Sequence, residues 1–155
     1  MYLLQSRFAR VLPLVVAMLA LSDATASAQD PQRDLARTRR ATAAYHDLDL
    51  ALEDGFIDTG LPCIEGQGYH FINLDWIGTL DVKQPQLLVY APDGRLVGLE
   101  WFVPGILVGD EPPTLFGQTF HYSSEGDFYF LHVWAWLHNP NGMFADTHPR
   151  VHCDD

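Results

Sequence analysis

Glu100 stands in the middle of the run Leu96-Val97-Gly98-Leu99-Glu100-Trp101-Phe102-Val103. A carboxylate among such neighbours is costly to bury unless it is paired, protonated or bound to a metal ion. Cations to pair with it are scarce, because past Arg40 the only basic residues are Lys83, Arg95 and Arg150. Histidine is the more plentiful polar partner: His46, His70, His121, His132, His138, His148 and His152. His70 lies in the strand-like run Tyr69-His70-Phe71-Ile72-Asn73, and His132 lies in Phe130-Leu131-His132-Val133-Trp134. If these strands flank the one that carries Glu100, the three side chains converge. Two imidazoles and one carboxylate suit Zn²⁺ or a non-haem Fe(II) with open coordination positions. The same trio could act as a general acid and base. It could equally be a buried polar network, each imidazole donating to a backbone carbonyl or to Glu100. His148 and His152 would share a face only on a helix, and Pro149 stands in the first turn of any such helix.

The stretch FYFLHVWAWLHNPNGMF, residues 128–144, alternates in character. As a strand it places His132, Trp134, Trp136 and His138 on one face and Leu131, Val133, Ala135 and Leu137 on the other. Trp134 and Trp136, with Tyr90, are candidates to line a pocket for an apolar or sugar-like ligand. The other reading packs them in the core with their N–H groups bonded. Familiar catalytic motifs are missing from the chain: it has no Gly-x-Ser-x-Gly, no phosphate loop with Lys, no His-Glu-x-x-His and no Cys-x-x-Cys.

The elements that must position these residues can be read from periodicity. Ala41, Ala44, Tyr45, Leu48, Ala51 and Leu52 recur at three- and four-residue steps. They predict one helix, with Thr38 as N-cap and Gly55 at its C-terminal cap. From residue 69 the period shortens towards two. Tyr69–Leu74, Gln86–Ala91 and Arg95–Val103 read as strands. Asp93-Gly94 predicts a two-residue type I′ turn between the last two. That turn sets Ala91 opposite Leu96, Val89 opposite Gly98 and Leu87 opposite Glu100. Thr114–His121 reads as a short extended segment, Ser123–Asp127 as a turn, and Asn139-Pro140-Asn141-Gly142 as a strong stop. The expected fold is α+β: an N-terminal helix packed on a curled antiparallel sheet of four to five strands.

The chain has 155 residues and a formal net charge of −11. Its first 28 residues read as a secretory signal: Arg7 and Arg10, the apolar run Val11–Leu21, then Ala26-Ser27-Ala28 as a cleavage site. Residues 29–37 read as a flexible polar arm, and 38–155 as one compact domain. An acidic chain of this kind repels nucleic acid and anionic membrane surfaces and favours cations. No later run is long and apolar enough to span a bilayer. The two cysteines, Cys63 and Cys153, are an even count in an exported chain and suggest a disulfide. Two free thiols, or a metal site shared with His152, are the rival readings.

The pieces ATAAYHDLDLALEDGF, GYHFIN, PQLLVYAPDGRLVGLEWFVP, LFGQTFH and LHVWAWLHNPNGMFADTHPRVHC resemble an uncharacterised family of small exported bacterial proteins. The resemblance covers most of residues 41–153. It implies a signal peptide, one compact domain and the disulfide, and it carries no activity with it. Three functional expectations follow. The first is an exported, periplasmic or extracellular binding domain that holds a small molecule or a metal ion, Zn²⁺ or Fe(II), in an aromatic His/Glu-lined cavity. The second is a metal-dependent enzyme using His70, Glu100 and His132. The third is a structural or interaction protein without pocket chemistry.

Overall fold

The computed structural model describes residues 30–153; the expected signal segment lies outside the described residues. The chain begins with helix α1, Pro31–Thr42. Asp30 caps it, its Oδ1 accepting from the Gln32 N–H at 3.0 Å and the Arg33 N–H at 3.4 Å, and Pro31 occupies the first helical position. The stretch expected as a flexible arm is therefore helical from Pro31 onwards. Leu35, Thr38 and Thr42 form its buried stripe. Thr38, expected as a cap, lies mid-helix, and its hydroxyl donates to the Val82 carbonyl at 2.6 Å.

The single long helix expected up to Gly55 is broken. A 3₁₀ turn, Ala43–His46, leads to Asp47 in extended conformation, which caps a second helix, α2, Leu48–Glu53. The aspartate interrupts because its carboxylate satisfies the Asp49 N–H better as a cap than it could mid-helix. Gly55, at φ +91°, closes α2 as expected: Gly55 N–H donates to Leu52 and Phe56 N–H to Ala51.

Eight strands follow: β1 Ile57–Asp58, β2 Tyr69–Ile72, β3 Leu87–Tyr90, β4 Leu96–Pro104, β5 Thr114–Leu115, β6 Gln118–Thr119, β7 His121–Ser123 and β8 Phe128–Val133. Six form an antiparallel sheet in the order β1-β2-β3-β4-β8-β7, and β5 with β6 makes a separate small ribbon. The fold is α+β with one disulfide, Cys63–Cys153. The sheet exceeds the four or five strands expected because β1 and β7 are only two and three residues long. Strands that short carry no readable alternation.

The β3–β4 turn differs from expectation in an instructive way. Gly94 N–H donates to Ala91 and Ala91 N–H to Arg95, and Gly94 alone in the turn has positive φ, at +83°. This is a three-residue loop, a type I turn closed by a left-handed glycine, rather than a type I′ pair. Tyr90, not Ala91, faces Leu96, and a bulge between Val89 and Tyr90 restores Val89 opposite Gly98 and Leu87 opposite Glu100.

Register divides the sheet into two faces. Phe71, Leu88, Leu99 and Val133 align across four strands, and Trp101 pairs with Leu131. These residues pack with Leu35, Tyr45, Ala51 and Phe56 from the helical segment, forming the main core. His70, Leu87, Glu100, His132, Phe102 and Phe130 occupy the opposite face. Trp134 and Val151 cover one end of that face, over Val89 and Val97. The loop after β1 approaches the sheet through Gly68, whose φ is +100° and whose absent Cβ would meet the Tyr90 carbonyl. Gly68→Ala is expected to lower unfolding free energy by about 2 kcal/mol or more through strain and collision together. Urea denaturation of the variant measures it.

Candidate metal centre

Three strands supply the site. Glu100 sits mid-β4, directly opposite His132 on β8. His70 on β2 faces Val89, so it reaches Glu100 diagonally across β3. The strand period thus delivers all three side chains to the face away from the helices. His70 Nε2 lies 3.4 Å and His132 Nε2 3.3 Å from the same carboxylate atom, Glu100 Oε2. One ligand atom from each residue falls within 4.8 Å of the others. All three residues are buried, with exposures of 4%, 7% and 3% for His70, Glu100 and His132.

Burial raises the Glu100 pKa, but the neighbouring His132 and His70 more than offset it, and the carboxyl ends below its usual value. Burial pushes His132 down, opposed only in part by Glu100. An ionised carboxylate and neutral imidazoles are the forms that ligate metal ions.

Hydrogen bonding bears directly on the polar-network reading. His70 Nδ1 and both ring nitrogens of His132 are buried without a hydrogen-bond partner among the described residues. Neither ring donates to a backbone carbonyl; His70 Nε2 meets the Glu100 carboxylate, the other partner that reading allows, whereas His132 makes no hydrogen bond among the described residues. Packing instead holds the His132 ring. Phe130 meets it edge-on at 5.7 Å, and Trp134 stacks on its other side at 6.2 Å with 12° between planes.

A cavity of ≈ 360 Å³ opens above the trio. Its floor is Ile72, Leu87, Phe102, Phe128 and Phe130, and the loop after β1 supplies Thr59, Leu61, Ile64 and Gln67 as a wall. The same loop carries Cys63, bonded to Cys153 with 5.7 Å between Cα atoms. Gly66 N–H donates to Val151, and His148 N–H donates to Gly66, so the C-terminal segment fixes the wall at two further points.

None of the expected pocket aromatics lines this cavity. Tyr90 lies on the helix side, its hydroxyl donating to the Tyr45 carbonyl at 2.6 Å. Trp134 packs over Gly98 and donates to the Ala145 carbonyl. The chain leaves the β8 ladder after Val133, where Trp134 N–H turns to Met143 and Trp136 N–H to Val97. The alternation expected through His138 stops there, and Trp136 packs with the main core, against His46 at 4.4 Å. His138 is exposed. His148 is buried and bonded through Nε2 to the His138 carbonyl, while His152 pairs with Glu65. Phe102 and Phe130, which do line the cavity, are not among the expected pocket residues. Each stands two positions from a site residue, Glu100 and His132, and the period of two already put them on the same face.

Fold and site together define a disulfide-bridged α+β domain with a buried two-histidine, one-carboxylate cluster beneath an apolar cavity. Comparison with protein-family models, curated proteins and solved structures found no match to this chain.

Proposed function

We propose that this chain is an exported binding domain that holds one divalent transition-metal ion, Zn²⁺ or Fe(II), on His70, Glu100 and His132. The observation that carries the reading is His132. Both of its ring nitrogens are buried without a hydrogen-bond partner among the described residues, and Nε2 lies 3.3 Å from the Glu100 carboxylate. A buried polar group left without a partner costs about 1–3 kcal/mol, and native proteins rarely accept this without a bound group to satisfy it. Spacing supports it as well. Ligands about 2.0–2.1 Å from a tetrahedral ion lie about 3.3–3.4 Å apart, and both His–Glu100 separations match, at 3.4 and 3.3 Å.

Binding is the reading taken over hydrolysis, because no titratable side chain beyond the trio lines the cavity among the described residues to serve as a general acid or base. Export is supported by the disulfide, which persists in oxidising compartments. The leader-like first 28 residues and the likeness to small exported proteins point the same way, to the periplasm or the cell exterior. No helix among the described residues is long and apolar enough to cross a membrane.

Elemental analysis of protein exported through its own leader, and purified without a chelating tag, tests the reading. About one equivalent of zinc or iron per chain is expected, and His132→Ala should lose it. A parent protein that carries no metal and takes up none on titration with Zn²⁺ or Fe(II) would overturn it.

A further inference from the structure

Resting on the metal reading above, we infer that the cavity takes an aromatic monocarboxylate, whose flat apolar body lies along Phe102 and Phe130 and whose carboxylate completes the metal's coordination.

Four observations carry this. The lining is apolar from both sides: Leu61 and Ile64 from the loop, Leu87, Phe102, Phe128 and Phe130 from the sheet. Outside the trio its polar side chains are Thr59, Gln67 and Ser123, and two of them are engaged within the chain. Thr59 donates its hydroxyl to the His70 carbonyl at 3.0 Å, and Gln67 Nε2 donates to Asp146 at 3.3 Å. A polyhydroxylated ligand would bury hydroxyls with few partners, a cost that disfavours sugars.

Charge narrows the head group. No Lys or Arg lines the cavity among the described residues. A ligand anion can therefore be neutralised there only by the metal. A dication on one carboxylate and two neutral imidazoles keeps one positive charge, and a monoanion cancels it. A phosphate dianion would overshoot, within a chain that already carries −11.

Size sets the body. A cavity of ≈ 360 Å³ lies at the small end of ligand sites, which suits roughly ten to fifteen heavy atoms. Leu61 and Ile64 line the cavity while 55% and 36% exposed. The open side is thus edged by partly exposed apolar side chains, which an aromatic body would cover.

The test uses the whole purified protein loaded with Co²⁺, whose visible ligand-field bands report the first coordination sphere, and 2-naphthoate as probe. Adding 2-naphthoate should shift the Co²⁺ bands saturably. Calorimetry should show binding at least about tenfold weaker to the metal-free protein. Inorganic phosphate and glucose should leave the bands unchanged. Leu61→Ser, at an exposed position that folding tolerates, should weaken 2-naphthoate about fivefold and leave Co²⁺ affinity within about twofold. If Co²⁺ bands form but 2-naphthoate does not move them, or if it binds the metal-free protein equally well, the inference is overturned and the metal reading stands. If no Co²⁺ bands form, the metal reading fails and takes this inference with it.

Discussion

Replacing Cys63 and Cys153 together by serine lowers the free energy of unfolding by about 4–5 kcal/mol, the entropic contribution expected of a cross-link closing so long a loop. The bridge joins residues 90 apart in sequence. Without it, the unfolded chain regains nearly all of its freedom between the first sheet loop and the C-terminus. The folded state loses little directly, because both cysteines are only partly buried and serine is close in size. The hydrogen bonds between Gly66 and residues 148 and 151 remain to hold the loop. For a domain whose whole stability is about 5–15 kcal/mol, the loss is severe. Urea denaturation of the double variant against the oxidised parent measures it. A loss below about 1 kcal/mol would mean that the unbridged unfolded chain already keeps these segments together.

Zinc should raise stability by about 4 kcal/mol at a thousandfold excess over its dissociation constant, provided that it binds the folded state alone. That corresponds to a rise in Tm on the order of 10–15 °C for a domain of this size. Glu100→Gln should abolish the rise. The amide keeps the carboxylate's shape but gives up its charge, and a neutral oxygen is a weak partner for a dication. The metal-free variant should stay within about 1–2 kcal/mol of the parent, since the change removes a buried charge along with its contacts to the imidazoles. Thermal melts with Zn²⁺ and with EDTA separate the two effects. A Glu100→Gln protein that gains as much from Zn²⁺ as the parent would remove Glu100 from the ligand set. Acid should reverse the stabilisation, because protons compete with the ion for the same nitrogens. Burial holds His132 below the ordinary histidine value, so this ligand gives way to protons only at lower pH.

Much of the site was legible because a strand's period is short and unforgiving. Glu100 was anomalous among its neighbours, and alternation alone placed His132 and His70 within reach. The register came out right through two differences that cancel. The turn holds one more residue than Asp93-Gly94 predicts, and the bulge at Val89/Tyr90 takes up that residue, so Val89 still meets Gly98. The helical region is less legible. The residues from Pro31 to Arg37 are too polar to show a stripe, although Asp30-Pro31 is a cap signature. Asp47 gave no warning that it would end one helical turn and start another. The end of β8 was not legible either. Trp134 leaves the ladder for the Met143 carbonyl, a partner nine residues further along that periodicity does not report. The cavity wall is the least legible part. Thr59, Leu61 and Ile64 belong to a loop whose position depends on a disulfide and on contacts with the far end of the chain.

The bulge also gives this sheet a rule of parity. Between Tyr90 and Glu100, one residue removed or added without a compensating bulge rotates every later side chain of β4 to the other face. Glu100 would then point into the helix-side core, and Leu99 or Trp101 would stand between the two histidines. Length changes in this turn are tolerable to the site only in pairs, or singly when the bulge is consumed or a second one made. The stretch from Val108 to Pro113, beyond the end of β4, lies under no such rule and can lengthen by any number without turning Glu100 away from His70 and His132.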